Sequence, residues 1–184
     1  GCPYLQVGEI TVCEGIKARL FRLSFSGERA YEIGVPARYG DALMRKLMVA
    51  GEEFNVCAYG TEALGVMRIE KGHISSPELN GTTTPRDVGL GGMVSTKKDF
   101  IGRVLSGRPG LVDPERPMLI GFKPVDRSKR LRSGAHFIAK NAAVTAANDE
   151  GYMTSVAYSP SNRHWIGLGF LCRGPERIGE ILRA

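Results

Sequence analysis

Residues 59–102 read YGTEALGVMRIEKGHISSPELNGTTTPRDVGLGGMVSTKKDFIG, which predicts a helix, a polar loop and a Gly-rich segment closing on Lys97-Lys98-Asp99-Phe100. Thr61 is a good N-cap and Gly72 suits a left-handed C-cap, so the helix lies between them. At about 100° per residue, Ala63, Val66, Met67 and Glu70 share one arc, with Glu62, Arg68 and Lys71 outside it. Glu70 is therefore expected on the buried face. A carboxylate taken out of water alone costs several kcal/mol, so an arginine elsewhere in the fold or a ligand has to satisfy it. A solvent-facing Glu70 would count against the ligand.

Upstream, residues 4–35 read as β structure, with β-branched and aromatic side chains around Gly8. The turn signal Phe25-Ser26-Gly27-Glu28 joins a strand within residues 17–25 to a returning strand at 30–35. Glu28 either holds that turn through backbone amides or contacts a ligand. Pro36 suits the first turn of a helix over 36–50, whose buried stripe is Tyr39, Leu43 and Leu47 with Met44 and Met48. Gly51 stops it, and residues 54–58 read as a short strand. The first hundred residues thus run β-β-α-β-α-β, an α+β arrangement of antiparallel sheet with packed helices.

Downstream, residues 73–85 form a long polar loop, of the kind that often serves function. Gly89, Gly91 and Gly92 lack the third glycine and the following helix of a dinucleotide fingerprint. Residues 106–117 hold three prolines and two glycines and predict a linker. Beyond it, residues 118–122, 135–139, 142–146, 152–157, 166–171 and 177–182 read as short strands, the spacing of a small antiparallel barrel or sandwich. The predicted domains are 1–105 and 118–184, with 106–117 between them.

The 184 residues, 42% of them hydrophobic, suffice for one or two domains with a sizeable core. No apolar run is long enough to span a bilayer, and Gly1-Cys2-Pro3-Tyr4 does not open a signal peptide. Cys2, Cys13, Cys57 and Cys172 form no CxxC pair, and His73, His136 and His164 are equally scattered, so a metal site is not expected. Reduced thiols in the cytoplasm are the economical reading. The net charge of +6 is spread along the chain without interleaved aromatics, which favours a solvated surface attractive to anions over a nucleic-acid site.

Several segments in order resemble one family. Arg22-Leu23-Ser24-Phe25-Ser26-Gly27-Glu28, Tyr59-Gly60-Thr61-Glu62-Ala63 and Arg68-Ile69-Glu70-Lys71-Gly72 come first. Thr82-Thr83-Thr84-Pro85 with Asp87, Gly89 and Leu90, then Lys97-Lys98-Asp99-Phe100, continue the series. Gly151-Tyr152-Met153-Thr154-Ser155 with Ser159-Pro160 follows. Together these are similar to the C-terminal part of the alpha subunit of heterotetrameric sarcosine oxidase. That region is in turn similar to the T-protein, the aminomethyltransferase of glycine cleavage. The resemblance implies the second half of an aminomethyltransferase-type folate-binding domain followed by a Greek-key barrel, here possibly truncated.

By the same resemblance, tetrahydrofolate is the cofactor, and Glu70 is the glutamate that accepts hydrogen bonds from its pterin. A first folate-holding arginine of the family falls on Lys97, which keeps the charge but not the planar fork. A second falls on Arg177, with Arg173 as the alternative register. The family's catalytic aspartate belongs to an upstream segment that nothing here matches, so half a folate site without turnover is expected. Flavin and NAD belong to other parts of the parent enzyme, and its other subunits are the implied partners. The implied function is capture, as methylenetetrahydrofolate, of the one-carbon unit released when sarcosine is demethylated oxidatively. The alternatives are a free-standing aminomethyltransferase and a non-enzymatic folate- or nucleic-acid-binding accessory protein.

Overall fold

A computed structural model describes residues 2–184, and the chain divides into two compact units between Gly65 and Val66. In the first unit, β1 (Val7–Val12), β2 (Ile16–Phe21) and β3 (Glu32–Gly34) form an antiparallel sheet in that order. The longer β2–β3 connection is bridged by Arg22, whose Nη1 donates to the Ala30 carbonyl at 3.0 Å. The helix α1 (Gly40–Gly51) follows a 3-10 turn at Ala37–Tyr39. Its expected stripe is only partly buried. Leu43 is covered, but Met44 and Leu47 are 47% and 44% exposed, because a three-stranded sheet and one helix offer little surface to cover them. The strand expected at 54–58 is absent. After a 3-10 turn at Glu52–Phe54, Asn55 takes the left-handed conformation and the Val56 amide returns to the Gly51 carbonyl at 3.1 Å.

The helix α2 (Thr61–Glu70) straddles the division and has the expected bounds. It ends in a Schellman motif: the Gly72 amide donates to Ile69 and the His73 amide to Arg68, with Gly72 at φ +69°. A short helix α3 (Arg103–Ser106) ends where the expected linker begins, and a second, α4 (Pro109–Val112), lies within it.

In the second unit β4 (Pro117–Phe122), β5 (His136–Ala139), β6 (Gly151–Ser159), β7 (His164–Cys172) and β8 (Leu182–Arg183) form one antiparallel sheet. Its order is β4-β7-β6-β5-β8, so β4 and β8 are its two edges. Residues 142–146, expected as a strand, lead into a 3-10 turn at Ala146–Asn148. The expected strand at 177–182 is replaced by a 3-10 turn at Gly174–Arg177 and the short β8.

One irregularity in β6 decides which side chains meet. Met153 pairs with Gly169 and Ser155 with Leu168, so Thr154 is an extra residue, a β-bulge. In a regular strand residues 153 and 155 would share a face. Here Gly169 and Leu168 are neighbours pointing to opposite faces, so Met153 and Ser155 point apart. Met153 joins Phe137 and Leu171 in the core cluster, and Val156, three residues on, packs against the same cluster. Ser155, Ala157 and Ser159 share the opposite face. The central strand β7 lies between β6 and β4 and needs close approach on the core side. A Cβ at Gly167 would stand 2.6 Å from Met153 Sδ, and one at Gly169 2.6 Å from the Tyr152 carbonyl.

Candidate functional site

Two carboxylates are buried in the second unit, and neither is Glu70. Glu78 is 0% exposed, and all of its acceptor positions are filled. Its Oε2 accepts from Arg68 Nη1 and from the Ser75 amide, both at 2.9 Å. Its Oε1 accepts from Thr154 Oγ1 and Ser155 Oγ, both at 2.5 Å. Arg68 Nη2 donates to Ser155 Oγ at 2.7 Å, so the guanidinium reaches one carboxylate oxygen directly and the other through a hydroxyl. Two consecutive strand residues, Thr154 and Ser155, can face one carboxylate because the first of them is the extra residue of the bulge. Glu78 is thus satisfied by the protein and has no capacity left for a ligand.

Asp87, 2% exposed, is the second buried acid. Arg116 Nε donates to its Oδ1 at 3.1 Å and Arg116 Nη2 to its Oδ2 at 2.5 Å. The Thr84 amide donates to Oδ2 at 2.8 Å, and the Asp87 amide returns to Thr84 Oγ1 at 3.3 Å. The Leu119 amide, inside β4, donates to the Asp87 carbonyl at 2.7 Å. The polar loop at 73–85 is therefore tied to β6 by the carboxylate of Glu78 within it and to β4 by the backbone of Asp87 just beyond it.

Both acids titrate below their ordinary values. For Glu78 burial pushes upward, but the bonds from Ser155, Thr154 and the Ser75 amide, with the charge of Arg68, outweigh it. For Asp87 burial is likewise overcome, by Arg116 and by the Thr84 amide and hydroxyl. A depressed folded pKa stabilises the native state fully above the unfolded value and loses that contribution as pH falls through the folded one. The unfolding free-energy difference between wild type and Asp87→Asn in urea is thus expected to stay constant from about pH 7 to about pH 5 and to shrink below about pH 4. A difference already changing between pH 7 and pH 6 would contradict the assignment.

Glu70 is exposed rather than buried, which overturns the reading of its helical arc. Burial along α2 rises toward its C-terminal end, where Arg68 and Ile69 are the buried residues, because Arg68 has an internal partner and Glu70 does not need one. One oxygen of Glu70 is nevertheless held. Ser159 Oγ donates to Oε1 at 2.5 Å. Arg68 and Glu70 thus meet Ser155 and Ser159, two residues of one β6 face. A carboxylate in the last turn also faces the negative end of the helix dipole, at a cost of about 0.3–1 kcal/mol. Helix stability gives no reason for an acid here.

The other two expected site residues lie elsewhere. Lys97 is exposed, in a bend where its amide donates to Ser95 Oγ at 3.2 Å. Arg177 has a side chain only 14% exposed, and its fork is occupied. It donates to both oxygens of Glu180 at 2.7 and 2.8 Å and to Glu150 at 2.6 Å. Hydrogen bonding to Glu180 and Glu150 holds its pKa well above the ordinary value. Arg177 is anchored at Cys172, at the far end of the nine-residue β7 from the hairpin that holds Glu70, a strand length of roughly 25 Å. The structure does not bring Glu70 and Arg177 together. Arg173 pairs with Glu115 at 3.3 Å. A cavity of about 370 Å³ lined by His136, Val144, Thr145, Asp149 and Arg183 contains none of the three residues.

Over residues 1–98 the sequence matches the GCVT N-terminal domain. The chain belongs to this family. Within it, the sarcosine oxidase alpha subunit of Rhizobium meliloti is 47% identical over 97% of this chain. That of Corynebacterium sp. (strain U-96) is 39% identical over 98%. The aminomethyltransferase of Geobacillus kaustophilus is 28% identical over 90% of the chain. The chain spans 18% and 19% of the two oxidase subunits and 44% of the aminomethyltransferase. The crystal structure of aminomethyltransferase T of the glycine cleavage system from Bartonella henselae superposes with a TM-score of 0.75 at 25% identity, covering 90% of this chain and 44% of that one. The GCVT relationship accounts for the antiparallel sheets and packed helices. Among the described residues no helix is long and apolar enough to cross a membrane.

Sequence reasoning missed Arg68 and Glu78. Arg68 stands within a quoted family segment and Glu78 in the loop between two of them, but nothing in the sequence pairs a helix residue with a loop acid and two hydroxyls on a strand 76 and 77 residues further on.

Proposed function

We propose that this chain is the folate-binding part of a sarcosine oxidase alpha subunit. The observation that carries this reading is the 47% identity to such a subunit across 97% of the chain, against 28% for an aminomethyltransferase. Tetrahydrofolate, when bound, supplies the two nitrogens that take up the one-carbon unit. Glu70 supplies acceptors for adjacent N–H donors of the pterin. Its exposure counts against the role expected of a buried acid; its bond from Ser159 and its unfavourable place in the helix dipole suit an acid kept for a ligand. Lys97 adds positive charge for the anionic end of the cofactor. Arg177 would have to give up Glu180 to take part, and the reading does not depend on it.

The parent reaction in this reading converts sarcosine, oxygen and tetrahydrofolate to glycine, hydrogen peroxide and methylenetetrahydrofolate. Without folate, water takes its place and formaldehyde leaves. Oxidation occurs at a flavin in another part of the assembly, which also holds NAD, and the other oxidase subunits are the partners. We place the assembly in the cytoplasm, and assign the five-stranded sheet to the barrel domain, with β4 and β8 as the edges that closure would join.

The test uses the full-length protein purified with its co-purifying subunits. Added tetrahydrofolate is expected to lower free formaldehyde from sarcosine and to yield methylenetetrahydrofolate while peroxide formation continues. Formaldehyde release indifferent to folate, or absence of sarcosine oxidation, would overturn the proposal.

A further inference from the structure

We infer that Ser159 is the positioning residue for Glu70 and that Asn162 compels it to that orientation; the inference rests on Glu70 being the folate acceptor. Ser159 is 0% exposed. A serine hydroxyl has one O–H to give and two lone pairs to receive with. Asn162 fills both lone pairs, through its amide at 3.0 Å and its Nδ2 at 2.9 Å. The single O–H is then left for Glu70 Oε1 at 2.5 Å. Rotating that hydroxyl away would sacrifice both bonds from Asn162.

The geometry around this contact is built into the β6–β7 hairpin. The Arg163 amide donates to the Ser159 carbonyl at 2.8 Å, and Arg163 takes the left-handed conformation, φ +58°, that closes the turn. Ser159 stands opposite His164 in the register. The bulge at Thr154 puts Ser159 on the face that meets α2. Were Thr154 paired in regular alternation, Ser159 would point to the core side. A glutamate on an open surface ordinarily samples many rotamers, and a ligand that binds it must freeze them. Here the carboxylate is held in one orientation while the residue remains exposed. A flat heterocycle with adjacent N–H donors meets an acceptor already aligned.

The experiment is equilibrium titration of the full-length protein with tetrahydrofolate, comparing wild type, Glu70→Gln, Ser159→Ala, Asn162→Ala and Glu70→Gln/Ser159→Ala. Ser159→Ala is expected to weaken binding about tenfold, and Asn162→Ala, at an exposed position that disturbs no core, severalfold. Adding Ser159→Ala to Glu70→Gln is expected to cost nothing further, because the serine acts through the acid. Ser159→Thr, which keeps the hydroxyl, is expected to recover most of the affinity. If Glu70→Gln weakens binding but Ser159→Ala and Asn162→Ala do not, or if the two losses multiply in the double variant, the positioning role is overturned and the Glu70 assignment stands. If Glu70→Gln binds folate like wild type, both fall.

Discussion

Glu78→Ala is expected to destabilise the second unit by about 3–5 kcal/mol, the largest stability effect of any single substitution considered for this chain. The reason is what the alanine leaves behind. Arg68, 7% exposed, would keep its charge with only the His73 carbonyl and Ser155 to receive it. The Ser75 amide and the hydroxyl of Thr154 would lose an acceptor as well. Arg68→Met/Glu78→Leu is expected to cost less than Glu78→Ala alone, since it removes both charges together. Urea unfolding followed by circular dichroism measures both. A loss under about 1 kcal/mol for Glu78→Ala would mean that the cluster is not a closed ion pair.

Glu70→Ala is expected to act in the opposite way, with a large effect on ligand and little on fold. In the full-length protein it should weaken tetrahydrofolate about tenfold to a hundredfold, the worth of one or two hydrogen bonds to a charged acceptor. The product ratio from sarcosine should move from methylenetetrahydrofolate toward formaldehyde. The midpoint of thermal unfolding should fall less than in Glu78→Ala, because the residue is exposed and its acid opposes the helix dipole, while one buried hydroxyl, that of Ser159, loses its acceptor. An unchanged product ratio would remove Glu70 from the site. A collapse of stability would make it a structural acid like Glu78.

The contrast between these two glutamates marks what was legible. The helix of residues 61–70 is bounded by local chemistry. Thr61 is its first residue, one step inside the cap expected of it, and Gly72, free to take a positive φ, closes it, so its limits follow from residues within or next to the segment itself. The hairpin of β2 and β3 and four of the strands beyond residue 117 were legible for the same reason. The arc that was to bury Glu70 was not, because a helical wheel orders side chains around an axis without saying which side is covered. A charged residue can lie at the covered end of a helix if a partner waits there, as Arg68 does. The strands expected at 54–58 and 142–146 failed for a related reason. Short apolar runs carry no instruction about whether a neighbouring strand exists to pair with them.

The sequence by itself determined the family, the limits of α2 and the presence of an acid at position 70 in its last turn. All of these follow from residues close together in the chain or from segments in a set order. Only the tertiary structure decided which acid is internal, which serine holds Glu70, and that Arg177 stands at the other end of the β6–β7 hairpin. These depend on one unpaired residue, Thr154, that reverses the phase of β6, and on contacts spanning 77 residues between Glu78 and Ser155 and 89 between Glu70 and Ser159. Burial and hydrogen bonding are settled by what the folded chain places alongside a group, and no local pattern encodes that.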